Sequence, residues 1–126
     1  MYEILIVGGG PAGLTAAIYA ARAGKHVAVL ERGSTGGQII SAPLVENYPG
    51  IPSVSGTELA RQMTEQACTF GAEIVYTEAV GLEKTPAGFR VLCTDGVREA
   101  KTVILATGAA HRRLDLPWET TLTGCG

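Results

Sequence analysis

The sequence predicts an α/β fold with a parallel β-sheet at its centre. Residues 2–7 and 27–30 are continuous apolar runs, which are typical of strands buried on both faces. A glycine-rich turn and an alanine-rich helical pattern lie between them. The three pieces form a βαβ unit, in which the strands are parallel and the crossover is right-handed. A length of 126 residues limits the chain to one domain or to part of one.

The first helix is predicted over Pro11–Ala23. Proline suits the first helical position, and Gly24 follows at the position where a left-handed residue commonly ends a helix. The apolar residues of this segment share one face of the predicted helix. They are Leu14, Ala17, Ile18 and Ala21.

A long loop and a second helix are expected next. Residues 31–54 are rich in Gly, Ser and Pro, and a structureless loop of that length in a small domain is usually functional. The second helix begins near Ser55, because Ser55 and Glu58 have the spacing of a capping box, and it ends at Gly71. Its apolar stripe is predicted to be core and consists of Leu59, Met63, Ala67 and Phe70.

The remaining strands form a meander and a last buried strand. One or two short strands are expected within Glu73–Val80, and residues 89–94 alternate between apolar and polar side chains, as a half-buried strand does. Asp95-Gly96 predicts a hairpin turn, after which Val97–Lys101 returns antiparallel to the strand over residues 89–94. Thr102–Ala106 predicts a further strand, separate from the meander and buried.

Composition excludes several classes of protein. Apolar residues make up 46% of the chain, so disorder is excluded, and a net charge of −2 argues against a nucleic-acid partner. The chain has no apolar run long enough to span a membrane and no basic region before its first apolar run. We therefore expect no membrane association and a cytoplasmic location. Only 17% of residues are charged, so we expect other chain segments to cover part of the surface.

The cysteines indicate neither a metal site nor a dithiol. Cys68, Cys93 and Cys125 contain no Cys-x-x-Cys pair and have no metal-ligand spacing with His26 or His111. We predict that Cys68 and Cys93 are small buried apolar residues.

The turn after the first strand carries the clearest chemical signal. Gly8-Gly9-Gly10-Pro11-Ala12-Gly13 matches G-x-G-x-x-G between a strand and a helix, as a dinucleotide-binding turn requires. Gly8 permits the tight turn, Gly10 lets the backbone approach a diphosphate, and Gly13 lets the helix pack closely on the strand. The helix N-terminus offers free N–H groups to the anion. The alternative is a glycine-rich turn that binds no ligand.

Further candidate residues follow the other strands at the same predicted edge of the sheet. Glu31 lies about 20 residues beyond the turn, where a carboxylate can accept hydrogen bonds from the ribose hydroxyls of a dinucleotide. A carboxylate there repels a 2′-phosphate, so the site suits the ADP part of FAD or NAD rather than NADP. Arg32 is predicted to contact the adenine edge or a phosphate. Ala106-Thr107-Gly108 ends the last buried strand and is expected to lie beside the same ligand. The alternatives are a solvated glutamate, a surface arginine and a plain tight turn.

Four segments in order carry a resemblance to a known family. They are Gly8–Arg22, Gly36-Gly37-Gln38-Ile39, Glu46-Asn47-Tyr48-Pro49-Gly50, and Ile104–Ala109 followed by Arg112. Together they resemble the low-molecular-weight thioredoxin reductases, which are FAD-dependent pyridine nucleotide-disulfide oxidoreductases. The first segment is shared by many FAD and NAD proteins, whereas the second and third are far more specific to this family.

The resemblance implies a Rossmann-like FAD-binding fold with a small antiparallel β-meander, present here as an incomplete domain. Residues 1–126 are expected to be the N-terminal portion of a discontinuous FAD-binding domain. An inserted NADPH domain, which carries the family's Cys-x-x-Cys, and a C-terminal FAD segment are absent from this chain. No catalytic residue and no metal ligand is therefore expected in it.

The resemblance also assigns residues to FAD by motif. Those expected at the diphosphate are Gly8, Gly10, Pro11, Ala12 and Gly13. Those expected at the adenosine are Glu31 and Arg32, with the backbone of Val80 near the adenine. Those expected along the flavin side are Gly37, Gln38 and Asn47, the last two through their amide groups. Those expected to close over the cofactor are Ala106, Thr107 and Gly108.

For the complete protein, the resemblance implies electron transfer from NADPH through FAD to a protein disulfide of a thioredoxin-like substrate, in a homodimer. The 126-residue chain alone is expected to be inactive and to expose a bare strand edge. Trp118 and Cys125 depart from the usual pattern of the family. They leave open a ferredoxin-type or peroxiredoxin-linked reductase relative, and a non-catalytic ADP-binding module is the third alternative.

Overall fold

The structure, a computed structural model, describes residues 1–110 and 112–124. The expectations for His111 and Cys125 lie outside the described residues. The strands are β1 (Tyr2–Val7), β2 (Val27–Glu31), β3 (Glu73–Tyr76), β4 (Ala79–Thr85), β5 (Gly88–Cys93) and β6 (Gly96–Leu105). The helices are α1 (Pro11–Arg22), α2 (Gly56–Thr69) and the short α3 (Glu119–Leu122), with a 3₁₀ turn over Gly37–Ser41.

The six strands form one mixed sheet with the order β3-β2-β1-β6-β5-β4. β1 pairs in parallel with β2 and with β6, and β2 pairs in parallel with β3. β4, β5 and the first half of β6 form the antiparallel meander. The predicted βαβ unit and the α/β class are confirmed.

The prediction that residues 97–101 and 102–106 are separate strands is wrong. β6 is continuous, and Ala100 stands opposite Phe89 of β5 on one side and Tyr2 of β1 on the other. No glycine or proline interrupts the strand after Gly96, so it passes from the meander into the parallel sheet. The predicted burial of its end is also wrong, because Leu105 is 64% exposed.

The helix boundaries follow their local signals. α1 begins at Pro11 and ends at Arg22, and Gly24 adopts φ +72° just beyond it. At α2, the Ser55 hydroxyl accepts a hydrogen bond from the Glu58 N–H at 3.1 Å. The capping box is only half formed, because the Glu58 carboxylate binds Arg61 instead, at 2.6 Å.

The core lies on both faces of the parallel strands. One face of the sheet packs against α1 and α2, and the central residues of that cluster are Ile6, Ala17, Val27, Val29 and Ala67. The opposite face packs against the meander, and that cluster contains Leu5, Ala28, Leu30, Val91 and Ala100. β1 and β2 are therefore covered on both sides, as their continuous apolar runs predicted.

Two predicted core residues lie at the surface. Phe70 is 42% exposed, because it follows the last turn of α2, and the Arg22 guanidinium lies 5.6 Å from its ring centre. Cys68 is also exposed, whereas Cys93 is half-buried. Cys68 follows Ala67 by one position on α2 and therefore faces away from the core that Ala67 enters.

The segment 31–54 is not a structureless loop. Besides the 3₁₀ turn, it contains bridges between Val45 and Val54 and between Tyr48 and Ile51. Val45, Ile51 and Val54 pack against a third buried cluster formed by α1 and α2. This packing fixes the segment beside the start of α1.

No helix in the described part of the chain is long and apolar enough to cross a membrane. Within residues 1–110 and 112–124, no group of His, Cys, Asp and Glu side chains is arranged to hold a metal ion.

Candidate functional site

The candidate residues gather at one edge of the sheet. Because β1, β2, β3 and β6 are parallel, their carboxyl ends meet at the same edge. The chain leaves this edge after Val7, Glu31, Tyr76 and Leu105. Open α/β sheets bind ligands just beyond the carboxyl ends of their strands, so this edge is the candidate site.

Two glycines of the first turn are required by the chain's own packing. Gly8 adopts φ +107°, and a Cβ atom there would lie 2.2 Å from the Ala106 carbonyl oxygen. A Cβ atom on Gly13 would lie 1.9 Å from the Gly8 carbonyl oxygen. Both contacts are shorter than real Cβ contacts, so only glycine fits at these two positions. Gly8 permits the tight turn, and Gly13 permits the close approach of α1.

Gly10 is different, because nothing in the described chain requires it to be glycine. Its φ of −75° suits any residue, and an added Cβ atom would approach Gly37 no closer than 3.8 Å. A Cβ atom at Gly10 would thus make only ordinary van der Waals contacts with the protein, so the packing of the chain does not require glycine here. A bound group that must touch the backbone here would explain the glycine, and a diphosphate is such a group.

The N-terminus of α1 is open. Gly10 is the N-cap and supplies no side-chain hydrogen bond, and the first turn contains no acidic residue. The first N–H groups of a helix have no partner within the helix and carry a partial positive charge. This end of α1 is suited to an anion, and it lies directly after Gly10.

Glu31 reaches back to the glycine turn. Its Oε2 accepts a hydrogen bond from the Gly9 N–H at 2.8 Å, and its Oε1 accepts one from the Gly33 N–H, also at 2.8 Å. A carboxylate accepts about four hydrogen bonds, so both oxygens keep capacity for hydroxyl donors. The neighbouring Arg32 is largely exposed, and its guanidinium lies 3.8 Å from the Glu78 carboxylate.

The segment Gly36–Gln38 packs onto the first turn. The Gly36 N–H donates to the Gly9 carbonyl at 2.7 Å. A Cβ atom on Gly37, which has φ +56°, would lie 3.3 Å from the Gly10 Cα. The Gln38 side-chain amide donates to the Ala109 carbonyl, which joins this segment to the chain beyond β6.

The remaining predicted site residues differ in how the structure connects them to the glycine turn. The Ala106 N–H donates to the Val7 carbonyl at 2.8 Å, so residues 106–108 start beside the glycine turn. Val80 is exposed at a bulge of β4, where it has no register partner on β5. Asn47 is exposed in the segment 46–50, and none of the hydrogen bonds that hold the glycine turn involves it.

Two residues that shape the site were not predicted. A Cβ atom on Gly56 would lie 1.6 Å from the Ile39 carbonyl oxygen, and one on Gly36 would lie 2.5 Å from the Ala60 Cβ. These glycines let the 3₁₀ turn that carries Gln38 sit tightly on α2. Glycine is well tolerated at the start of a helix, so the sequence alone gives no signal that Gly56 is required.

A βαβ unit with a glycine turn, a carboxylate at the end of β2 and a second turn after β6 defines a dinucleotide-binding α/β domain. The comparison with known proteins gives the family. The sequence profile of the pyridine nucleotide-disulphide oxidoreductases matches residues 2–125, and the chain belongs to this family.

The relatives are thioredoxin reductases. That of Treponema pallidum is 43% identical over 126 residues, which cover 99% of this chain and 41% of the relative. The crystal structure of the thioredoxin reductase from Streptococcus pyogenes matches with a TM-score of 0.89 and 46% sequence identity. The match covers 97% of this chain and 40% of the Streptococcus pyogenes chain. The structure of the Lactococcus lactis enzyme matches with a TM-score of 0.91 and 38% sequence identity, and the match covers 98% of this chain and 41% of the Lactococcus lactis chain.

The family resemblance and the fold class predicted from the sequence are thus confirmed. The chain spans about two fifths of the length of these relatives.

Proposed function

We propose that this chain is the FAD-binding part of a thioredoxin reductase-like flavoenzyme. The complete protein would pass electrons from NADPH through FAD to a disulfide of a thioredoxin-like protein. The observation that carries the proposal is Gly10, a glycine in the turn that the packing of the chain itself does not require. It occurs in a chain that aligns over its whole length with thioredoxin reductases.

The residues that would hold FAD are those at the carboxyl edge of the sheet. Gly10, Pro11, Ala12 and the free N–H groups of α1 face the diphosphate, while Gly8 and Gly13 set the turn. Glu31 accepts the ribose hydroxyls, and Arg32 and the Val80 backbone flank the adenosine. The flavin side consists of Gly37, Gln38 and Asn47, and the segment that closes over the cofactor consists of Ala106, Thr107 and Gly108.

When bound, FAD supplies a centre that accepts a hydride and passes on two electrons. The contribution of the chain is binding and electrostatics. The α1 N-terminus stabilises the diphosphate charge, and Glu31 favours an unphosphorylated ribose over a 2′-phosphate. Gln38, held by Ala109, keeps the 3₁₀ turn in place beside Gly10.

The reacting thiols and the NADPH site belong, in this proposal, to the rest of the protein. Cys68 and Cys93 are free, and they lie on different elements. We propose that residues 1–126 are the first portion of a discontinuous FAD domain, into which an NADPH domain with a Cys-x-x-Cys pair is inserted. The homodimer and the cytoplasmic location stay predictions.

One observation favours a second candidate, a module that binds ADP alone. The best-formed part of the site is the ADP half, made of the glycine turn and Glu31. Asn47, which the resemblance assigns to the flavin side, is exposed.

The test compares flavin retention by the full-length protein with that by the 126-residue chain. Each is incubated with FAD, desalted and examined by visible absorption, and each is then titrated with ADP. We expect the full-length protein to retain flavin and to reduce a thioredoxin disulfide with NADPH. ADP binding without flavin in both proteins would favour the second candidate, and no binding of either ligand would contradict both.

A further inference from the structure

Thr77 is a buried polar side chain that the proposed function does not use. It directly follows β3 at the carboxyl edge of the sheet and is only 7% exposed. Its hydroxyl lies 2.5 Å from Asp95 Oδ1, to which it donates, and 3.4 Å from the Thr94 hydroxyl. A buried hydroxyl bonded to a carboxylate costs stability when its partner is removed, so this contact holds the two segments together.

Backbone hydrogen bonds extend this contact to the candidate site. The Thr77 N–H donates to the Glu31 carbonyl at 2.9 Å, and the Thr94 N–H donates to the Glu78 carbonyl at 3.0 Å. The turn between β5 and β6 is thereby joined to the connection after β3, and that connection is joined to the end of β2. Residues 77 and 78, which link β3 to β4, are thus held by the end of β2 on one side and by the β5–β6 turn on the other.

Asp95 is itself fixed on its other side. The Arg98 guanidinium donates to both of its carboxylate oxygens, at 2.7 and 2.8 Å. A two-point contact of this kind restricts the orientation of the carboxylate. The Thr77 hydroxyl therefore meets an acceptor whose position is already set by the turn.

We infer that Thr77, Thr94 and Asp95 form a latch that positions the backbone of residues 77–80 for the adenosine half of the dinucleotide. This inference rests on the proposed function. Thr77 and Asp95 are positioning residues and need not touch the ligand. The segment they hold ends at Val80, whose backbone lies at a bulge without a register partner on β5. The hydrogen bonds of the latch reach the site at the Glu31 carbonyl, on the ribose side, so it acts on adenosine rather than on the diphosphate.

The test uses two probes of the 126-residue chain, ADP and inorganic pyrophosphate, titrated by NMR chemical shifts. Thr77→Val removes the hydroxyl and keeps the shape, Thr77→Ser restores the hydroxyl, and Thr69→Val is the matched control on α2. We expect Thr77→Val to weaken ADP binding by up to roughly 10-fold, because without the hydrogen bond to Asp95 a smaller fraction of chains holds the segment in its binding position. Pyrophosphate binding should be unchanged, and Thr77→Ser should restore ADP binding.

Other outcomes overturn the inference. Equal losses for ADP and pyrophosphate would mean general damage to the fold, and unchanged ADP binding would mean that the latch does not position the site. If the wild-type chain binds neither probe, the titrations are repeated on the full-length protein, where the absence of binding would contradict the proposed function instead. In that case amide hydrogen exchange still tests the latch, because Thr77→Val should speed exchange of the Thr94 N–H while Thr69→Val should not. An unchanged exchange rate would refute it.

Discussion

The βαβ unit and the far end of β6 lie side by side in one sheet but differ in how they are covered. Leu5, Ile6 and Leu30 are at most 2% exposed, because helices cover one face and the meander covers the other. At the end of β6, Leu105 is 64% exposed, and Leu114 beyond it is 76% exposed. The first region is stabilised by contacts within this chain, whereas the second presents apolar surface to solvent.

This difference divides the candidate site in the same way. The glycine turn, Glu31 and the 3₁₀ turn are held by hydrogen bonds and close packing within the chain. Residues 106–108 start beside the turn, but the chain beyond them is exposed. We therefore expect the ADP half to be formed in this chain and the closing segment to depend on further contacts.

The largest expected effect separates the two regions by one substitution in each. Leu30→Ala should lower the free energy of unfolding by about 2–5 kcal/mol, since it removes a fully buried side chain. Leu105→Ala should change it by less than about 0.5 kcal/mol, since its side chain is exposed. Urea unfolding of both variants measures the difference. Equal losses would contradict the comparison and would mean that β6 is covered in solution, for example by self-association.

The next effect tests the close approach of α1. Gly13→Ala should destabilise the chain by about 1–3 kcal/mol, because the new Cβ atom would meet the Gly8 carbonyl oxygen. Helix propensity alone predicts the opposite sign, about 1 kcal/mol of stabilisation. Gly33→Ala is the control, since its Cβ atom would lie 3.8 Å from Glu31 Oε1. A Gly13→Ala chain as stable as the control would show that the turn is looser than described.

A third prediction concerns the preference for an unphosphorylated ribose. Glu31→Gln removes a negative charge and places an amide opposite a backbone N–H, so ADP affinity should fall roughly 10-fold. Affinity for 2′-phosphorylated ADP should fall less, because the repulsion is removed. Calorimetric titration gives the ratio of the two affinities. A ratio that does not change would remove Glu31 from the ribose site.

The smallest effect is the loss of stability in acid. Hydrogen bonds from Arg61 lower the pKa of Glu58 to about 2, and those from Arg98 and Thr77 lower the pKa of Asp95 to about 2. Both folded pKa values lie below the ordinary ones, so the unfolded chain takes up protons first as the pH falls. The stabilisation is therefore present above about pH 4.5 and is lost toward pH 2.

This prediction is checked by urea midpoints at pH 7 and pH 3. Both carboxylates are exposed, so the effect should be small and should weaken in high salt. Glu58→Gln should reduce the midpoint difference between the two pH values, while Glu46→Gln, in the exposed segment 46–50, should not. An identical difference in both variants would leave the Glu58–Arg61 pair without a role in acid stability.

Local signals in the sequence predicted the half of the molecule that local contacts build. The apolar runs, the proline that starts α1 and the glycine that follows it located the βαβ unit. The spacing of Glu31 from the turn predicted that its carboxylate lies there. The first three signals sufficed because each depends on residues within one strand or one helix, and the fourth sufficed because a βαβ unit fixes the distance along the chain between its two strand ends.

The wrong or missing predictions concern features that depend on contacts between residues far apart in the sequence. β6 is continuous because β1 and β5 pair with it on opposite sides, which no local pattern shows. Phe70 continues the apolar stripe of α2 but lies beyond the helix end and outside the buried clusters. Gly36 and Gly56 are required only by neighbours that the folded chain brings close.

The most direct test of the central claim is an ADP titration of the wild-type chain and of Gly10→Ala, with urea unfolding of both. The new Cβ atom meets no protein atom closer than 3.8 Å. Alanine is a poorer N-cap than glycine but restricts the unfolded chain, so the two contributions oppose each other and stability should change by less than about 1 kcal/mol. We predict that ADP affinity nevertheless falls at least roughly 10-fold, because the Cβ atom occupies the space of the diphosphate. Unchanged ADP affinity in a folded Gly10→Ala chain would contradict the assignment of this turn to the dinucleotide.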